Sequence, residues 1–257
     1  MNTASPAHPI EFRNVSYSVA GTEVLSSLTF NVAAGETLAL LGRSGSGKTT
    51  TLKLVNRLLS PDSGEIYING TLNRDVDLIR LRRGIGYVIQ ESGLFPHFTV
   101  ERNIGLVPTL EKWDKDRVHA RVCELMRMVG LGAELASRYP HQLSGGQRQR
   151  VGVARGLAAD PPLLLMDEPF GALDPLTRSE LQGEFLRLQK ELHKTVLFVT
   201  HDLLEAMRIA TRVALMEAGR LITILTPQEF LKSSDPLAAA YVKAFDSARE
   251  SDDRCTL

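Results

Sequence analysis

The sequence predicts an α/β fold, a parallel sheet wrapped by helices, and three observations lead there. Continuous apolar runs of strand length recur: Thr37-Leu38-Ala39-Leu40-Leu41, Leu163-Leu164-Leu165-Met166, Val196-Leu197-Phe198-Val199 and Val213-Ala214-Leu215-Met216. Strands covered on both faces read this way, whereas half-buried strands alternate. Between the second and third runs, Leu181, Phe185, Leu188 and Leu192 fall on one face of a helix at i, i+4, i+7 and i+11. After the first run a glycine-rich stretch opens into a helix, and strands alternating with helices imply parallel pairing.

Taken in order, residues 1–9 are expected to form a flexible tail. Ile10-Glu11-Phe12 and Leu28-Thr29-Phe30-Asn31-Val32 alternate as half-buried strands do. Ala34-Gly35 turns the chain into the first buried run, and the helix after the glycine-rich stretch is expected over 48–59. Ser60-Pro61-Asp62-Ser63-Gly64 is a turn cluster, Glu65-Ile66-Tyr67-Ile68 returns as a strand, and 85–89 reads as another. Over 91–159 strand signals vanish, and 116–129 shows helical spacing with charges on one side, which predicts a helical insert. The α/β pattern resumes over 160–230, and 231–257 is read as a short tail.

Composition removes several classes of function. Apolar residues make up 43% of the 257, as in a globular protein. Thirty Lys and Arg balance thirty Asp and Glu, so nothing points to nucleic acid as a partner. Cys123 and Cys255 are far apart without CxxC or CxxH neighbours, which argues against a metal site or a disulfide framework. Met1-Asn2-Thr3-Ala4-Ser5-Pro6 lacks the basic start and apolar core of a signal peptide. No apolar run approaches the roughly 20 residues that span a bilayer, so action at a membrane is expected to run through a partner.

Gly42-Arg43-Ser44-Gly45-Ser46-Gly47-Lys48-Thr49 matches the phosphate-binding pattern GxxxxGK[ST] between a strand and a helix. Glycines let backbone N–H groups approach phosphate oxygens, and the helix start adds a partial positive charge. The candidate nucleotide-binding residues are Gly42, Ser44, Gly45, Gly47, Lys48, Thr49 and Thr50. Lys48 is read as the cation on the β and γ phosphates and Thr49 as a Mg²⁺ ligand. The strand 163–166 ends in Asp167-Glu168, where open α/β sheets present their ligand crevice. Asp167 is the expected Mg²⁺ partner, and Glu168 is placed as general base for an attacking water.

Leu143-Ser144-Gly145-Gly146-Gln147 closes the helical insert just ahead of a helix. Ser144, Gly145, Gly146 and Gln147 make a second anion corner, and one ATP hardly satisfies both corners within a monomer. With the P-loop before it and the acidic strand after it, this string resembles the ABC ATPase family over about residues 10–230. The resemblance implies a P-loop NTPase core of RecA-like type at 10–90 and 160–230, an N-terminal antiparallel β region and the helical insert. It also implies ATP and Mg²⁺ as cofactors and a head-to-tail homodimer holding each ATP between one P-loop and the partner's signature stretch. Residue by residue, Tyr17 matches the aromatic that stacks on adenine, Gln90 the glutamine that senses Mg²⁺ and the attacking water, Asp174 the loop that touches the opposite subunit, and His201 the histidine at the γ phosphate.

Arg82-Arg83-Gly84-Ile85-Gly86-Tyr87-Val88-Ile89-Gln90, Gly93-Leu94-Phe95-Pro96-His97, Asn103-Ile104-Gly105-Leu106-Val107-Pro108 and Lys112-Trp113 are similar to the importers of quaternary amines, such as glycine betaine, choline and carnitine. This implies transmembrane permease subunits, indirectly a substrate-binding protein, and a peripheral place on the cytoplasmic face of the inner membrane. Two departures stand out. Some members of that branch carry paired CBS domains, for which the residues after Phe230 are too few, and Glu91 stands where a second glutamine is more usual. An importer for another small solute, such as an amino acid, is the alternative. A non-transport ABC ATPase of repair or translation is disfavoured by the single ATPase unit and the lack of a long heptad run or basic tract. A P-loop kinase or GTPase leaves the signature stretch without a role.

Overall fold

The computed structural model describes residues 8–90, 93–171 and 173–254, with side chains as far as Phe245. Residues 1–7 of the expected tail, Glu91 and Cys255 lie outside the described residues. The chain begins with strands β1 (Ile10–Val19), β2 (Thr22–Val32) and β3 (Thr37–Leu41), then helix α1 (Lys48–Val55). There follow β4 (Ser63–Ile68), β5 (Thr71–Leu72), α2 (Leu78–Arg83) and β6 (Ile85–Val88). The helical insert holds α3 (Val100–Ile104), α4 (Leu106–Leu110), α5 (Lys115–Met128) and α6 (Gly145–Leu157). The second half runs through β7 (Leu163–Asp167), α7 (Pro175–Leu192), β8 (Thr195–Thr200), α8 (Leu203–Ile209), β9 (Arg212–Glu217), β10 (Arg220–Leu225), α9 (Pro227–Phe230) and α10 (Pro236–Arg254).

Among the described residues the strands form two sheets. One is antiparallel, in the order β2-β1-β4-β5. The other has the order β10-β9-β3-β8-β7-β6, all parallel except the edge strand β10. Alternate residues of β3 serve opposite faces, as the period of two requires. Leu38 and Leu40 join Leu52, Leu54 and the antiparallel sheet on one side. Ala39 and Leu41 join the insert's Val100, Val122 and Leu125, with Phe185, on the other. The parallel sheet is therefore sandwiched, which explains why its strands read as unbroken apolar runs.

Two boundaries differ from the sequence reading. The helix expected over 48–59 ends at Val55, because Arg57 turns into the left-handed region at φ 53° and the Leu58 and Leu59 amides both fold back onto the Lys53 carbonyl. Segment 231–257, read as a short tail, contains the long helix α10. Asp235 Oδ1 accepts from the Leu237 and Ala238 amides at 2.9 and 3.0 Å, and Pro236 takes the first helical position. Ala238 is completely buried, and Leu237, Tyr241, Val242 and Phe245 lie against the larger apolar cluster.

Candidate functional site

The strand order brings the carboxyl ends of β3, β7 and β8 side by side, and the site is built from the loops that leave them. After β3 the chain wraps round the start of α1. Gly47 sits there at φ 95°, where a Cβ would come within 2.5 Å of Leu25 Cδ2, so this turn admits little besides glycine. Lys48, 5% exposed, donates from Nζ to the Gly42 and Arg43 carbonyls at 2.7 and 2.8 Å. Burial pulls its pKa below the ordinary lysine value, opposed by the Glu168 and Asp167 carboxylates. This is a cation held close to its own loop, ready to pair with anionic groups.

Asp167 ends β7, and its Oδ1 accepts from the Thr49 hydroxyl at 2.9 Å. Burial raises its pKa, and the Thr49 hydrogen bond works against that rise. The two side chains fit Mg²⁺: both are hard oxygen donors in contact, and this ion takes few protein ligands and fills its octahedron with water and substrate phosphate. Glu168 lies at φ 45°, an uncommon and costly conformation for a residue with a Cβ. It turns its carboxylate so that two other loops converge on it. Gln90 Nε2, after β6, donates to Oε2 at 3.4 Å, and His201 Nδ1, after β8, lies 3.2 Å from Oε1.

Arg43, Ser44, Gly45, Lys48, Thr49 and Thr50 line one cleft of about 790 Å³ together with Gln90, Glu168 and His201. That volume suits a nucleotide. Ser144, Gly145, Gly146 and Gln147 do not line it. They form the start of α6 elsewhere: Ser144 Oγ accepts from the Gln147 amide at 3.1 Å, and Gln147 Oε1 accepts from the Ser144 amide at 3.0 Å. The signature stretch is a capping box, so its serine and glutamine are explained locally, while Ser144 and Gly145 are exposed to solvent. Asp174 is likewise outside the cleft. It caps α7, with Oδ1 accepting from the Thr177 amide at 3.1 Å, and hydrogen bonding first from the Thr177 side chain and then from its amide holds its pKa below the ordinary value.

Tyr17 does not line the cleft. It pairs with Leu25 across β1 and β2 and packs against the apolar cluster under the antiparallel sheet. The cleft wall includes residues that sequence reasoning missed: Val24 of β2, and Leu237, Ala240, Tyr241 and Ala244 on one side of α10. The spacing 237, 240, 241, 244 is a helical face, and Asp235-Pro236 ahead of it is a helix-start signal, so both were present in the sequence to be read.

The profile of the ABC transporter family matches residues 25–171, from within β2 past the acidic end of β7. The chain belongs to the ABC transporter family. This ABC cassette is 52% identical over 213 residues to the choline transport ATP-binding protein OpuBA of Bacillus subtilis, covering 83% of the chain and 56% of that relative. It is 52% identical over 213 residues to the glycine betaine uptake system ATP-binding protein YehX of Escherichia coli, covering 83% of the chain and 69% of the relative. The chain thus spans a little over half the length of the choline protein. Among solved structures, the ATP-binding cassette MJ0796, described as a dimer in a post-hydrolysis state bound to ADP and Pi, superposes with a TM-score of 0.77 at 33% identity, over 85% of this chain and 98% of that one. The ABC cassette fold expected from the signature stretch is therefore the fold the chain adopts.

Proposed function

We propose that the chain is the ATP-hydrolysing subunit of an importer for quaternary amine osmoprotectants, glycine betaine or a close relative. The observation that carries the ATPase part is the convergence of Gln90 and His201 on Glu168 opposite the P-loop cation in a single cleft. Glu168, oriented from both sides, accepts the proton of the attacking water. Lys48 exchanges its two backbone carbonyls for the β and γ phosphate oxygens. Thr49 and Asp167, with Gln90, would hold Mg²⁺, which spreads the charge of the phosphates. His201 stabilises the γ phosphoryl as charge moves onto its oxygens.

The signature stretch lies outside the cleft, so the second anion corner is complete only when another copy supplies it. A head-to-tail homodimer with two ATP molecules between the subunits is the arrangement that fits, and the dimeric cassette at TM-score 0.77 supports it. ATP then shifts the population from open to closed dimers. Among the described residues no helix is long and apolar enough to cross a membrane. The subunit is read as peripheral on the cytoplasmic face of the inner membrane, working on permease subunits, with a substrate-binding protein acting beyond them. The names of the choline and glycine betaine relatives support the cargo class.

The test is uptake of radiolabelled glycine betaine at high osmolarity with the native permease, comparing wild type with Glu168→Gln. Uptake abolished by the substitution supports motor and cargo together. Equal uptake in both discards the cargo assignment.

A further inference from the structure

Behind the cleft lies a partly buried polar network that the hydrolytic chemistry leaves unexplained. Its centre is Arg178, in the first turns of α7. Nη2 donates to the Leu173 carbonyl at 3.1 Å, next to Asp174, and Nη1 donates to Asp202 Oδ2 at 3.4 Å, next to His201. Nε is buried without a hydrogen-bond partner and lies 4.0 Å from Glu205 Oε1. Glu205 is 3% exposed, and its Oε2 accepts from the Thr200 hydroxyl at 2.7 Å, on the other side of His201. The Asp202 amide donates to the same hydroxyl at 3.0 Å. Both neighbours of His201 are thus tied to one cluster, and Arg178 ties that cluster to the Asp174 loop. Neither Arg178, Asp202 nor Glu205 lines the nucleotide cleft.

We propose that Arg178 is a positioning residue that, through Asp202 and Glu205, holds His201 on Glu168 and couples that placement to the loop bearing Asp174. A guanidinium suits the task because its planar fork reaches a carbonyl and a carboxylate in fixed directions. The remaining Nε–H needs a shift of about 1 Å to reach bonding distance of Glu205. A buried charged donor left unpaired is unfavourable, so any contact that moves the start of α7 toward α8 is rewarded by making that bond. The first turn of α7 also touches the signature helix: a Cβ on Gly146 would meet Thr177 Cγ2 at 2.5 Å. A partner engaging either Gly146 or Asp174 therefore presses on the turn that carries Arg178.

This inference rests on the reading of the cleft as an ATPase site, and two measurements keep the two separable. The first is steady-state ATPase activity of Arg178→Lys, Arg178→Gln, His201→Ala and the Arg178→Gln/His201→Ala double variant, with ATP affinity by nucleotide fluorescence. The expected result is a kcat lowered about tenfold or more in Arg178→Gln with KM for ATP within about twofold, little rescue by lysine, and a double variant no slower than His201→Ala. Losses that multiply in the double variant overturn the proposal. The second measurement is the His201 ring resonance by NMR, which needs no turnover. Arg178→Gln and Glu205→Gln should each move or broaden it, and a resonance unchanged in both overturns the proposal. A protein that shows the NMR effect but hydrolyses no ATP refutes the ATPase reading and leaves the positioning role standing.

Discussion

Lys48, Glu168 and Glu205 are buried or strained side chains whose costs are met by what they face. Lys48→Ala removes the only side-chain cation of the P-loop aimed back at its carbonyls, and we expect nucleotide affinity to fall by about 100-fold or more, as for loss of a charge-assisted phosphate contact. Unchanged affinity in fluorescence titration counts against the cradle. Glu168→Gln keeps hydrogen bonding to Gln90 and His201 but cannot accept the proton, so kcat should drop at least about 100-fold while ATP still binds. A fast Glu168→Gln removes that residue as base. For Glu205, burial raises the pKa while the Thr200 hydroxyl opposes the rise. A raised folded pKa means the native state binds more protons than the unfolded one above about pH 4.5, so this term is fully present at lower pH and is lost as pH climbs through the raised value. Glu205→Gln should remove that dependence, so its melting temperature relative to wild type should improve as pH rises above the ordinary glutamate range; a difference independent of pH contradicts the assignment.

At the scale of elements, legibility follows burial. The five parallel strands were readable because covering both faces leaves an unbroken apolar word, and the P-loop, acidic end and signature were readable because each needs fixed residue types at fixed spacing. Edge strand β10 was missed: Arg220-Leu221-Ile222-Thr223 is half exposed, and its turn at Ala218-Gly219, with φ of 45° and 77°, lacks the Asn-Gly signature of such hairpins. Helix α10 was missed because it lies beyond the last of the nucleotide-site motifs, although Asp235-Pro236 announces it. Tyr17, matched by resemblance to the adenine-stacking aromatic, is half-buried against the apolar cluster beneath β1 and β2. The two caps make a direct test of element energetics. Ser144→Ala and Asp235→Ala should each cost about 1 kcal/mol in denaturant melts, and Ser144→Ala should also depress ATPase activity, since α6 presents an anion corner at its start.

For the whole molecule, α10 is both wall and buttress. Deleting 236–257 withdraws completely buried Ala238 and the flank formed by Leu237, Tyr241 and Phe245, a loss on the order of 3 kcal/mol. In a chain of this length that corresponds to a fall of about 10 °C in Tm by calorimetry; an unchanged Tm shows that the helix does not buttress the core. The separation of the two anion corners has a further consequence. If each ATP is enclosed by two molecules, a lone chain carries two half-sites and no whole one. Turnover per chain should then fall on dilution, with an apparent order in protein above one, and become independent of concentration once a permease holds two copies at a fixed distance. Gathering the chains, as much as supplying nucleotide, then sets the rate, and a free pool of subunits consumes little ATP.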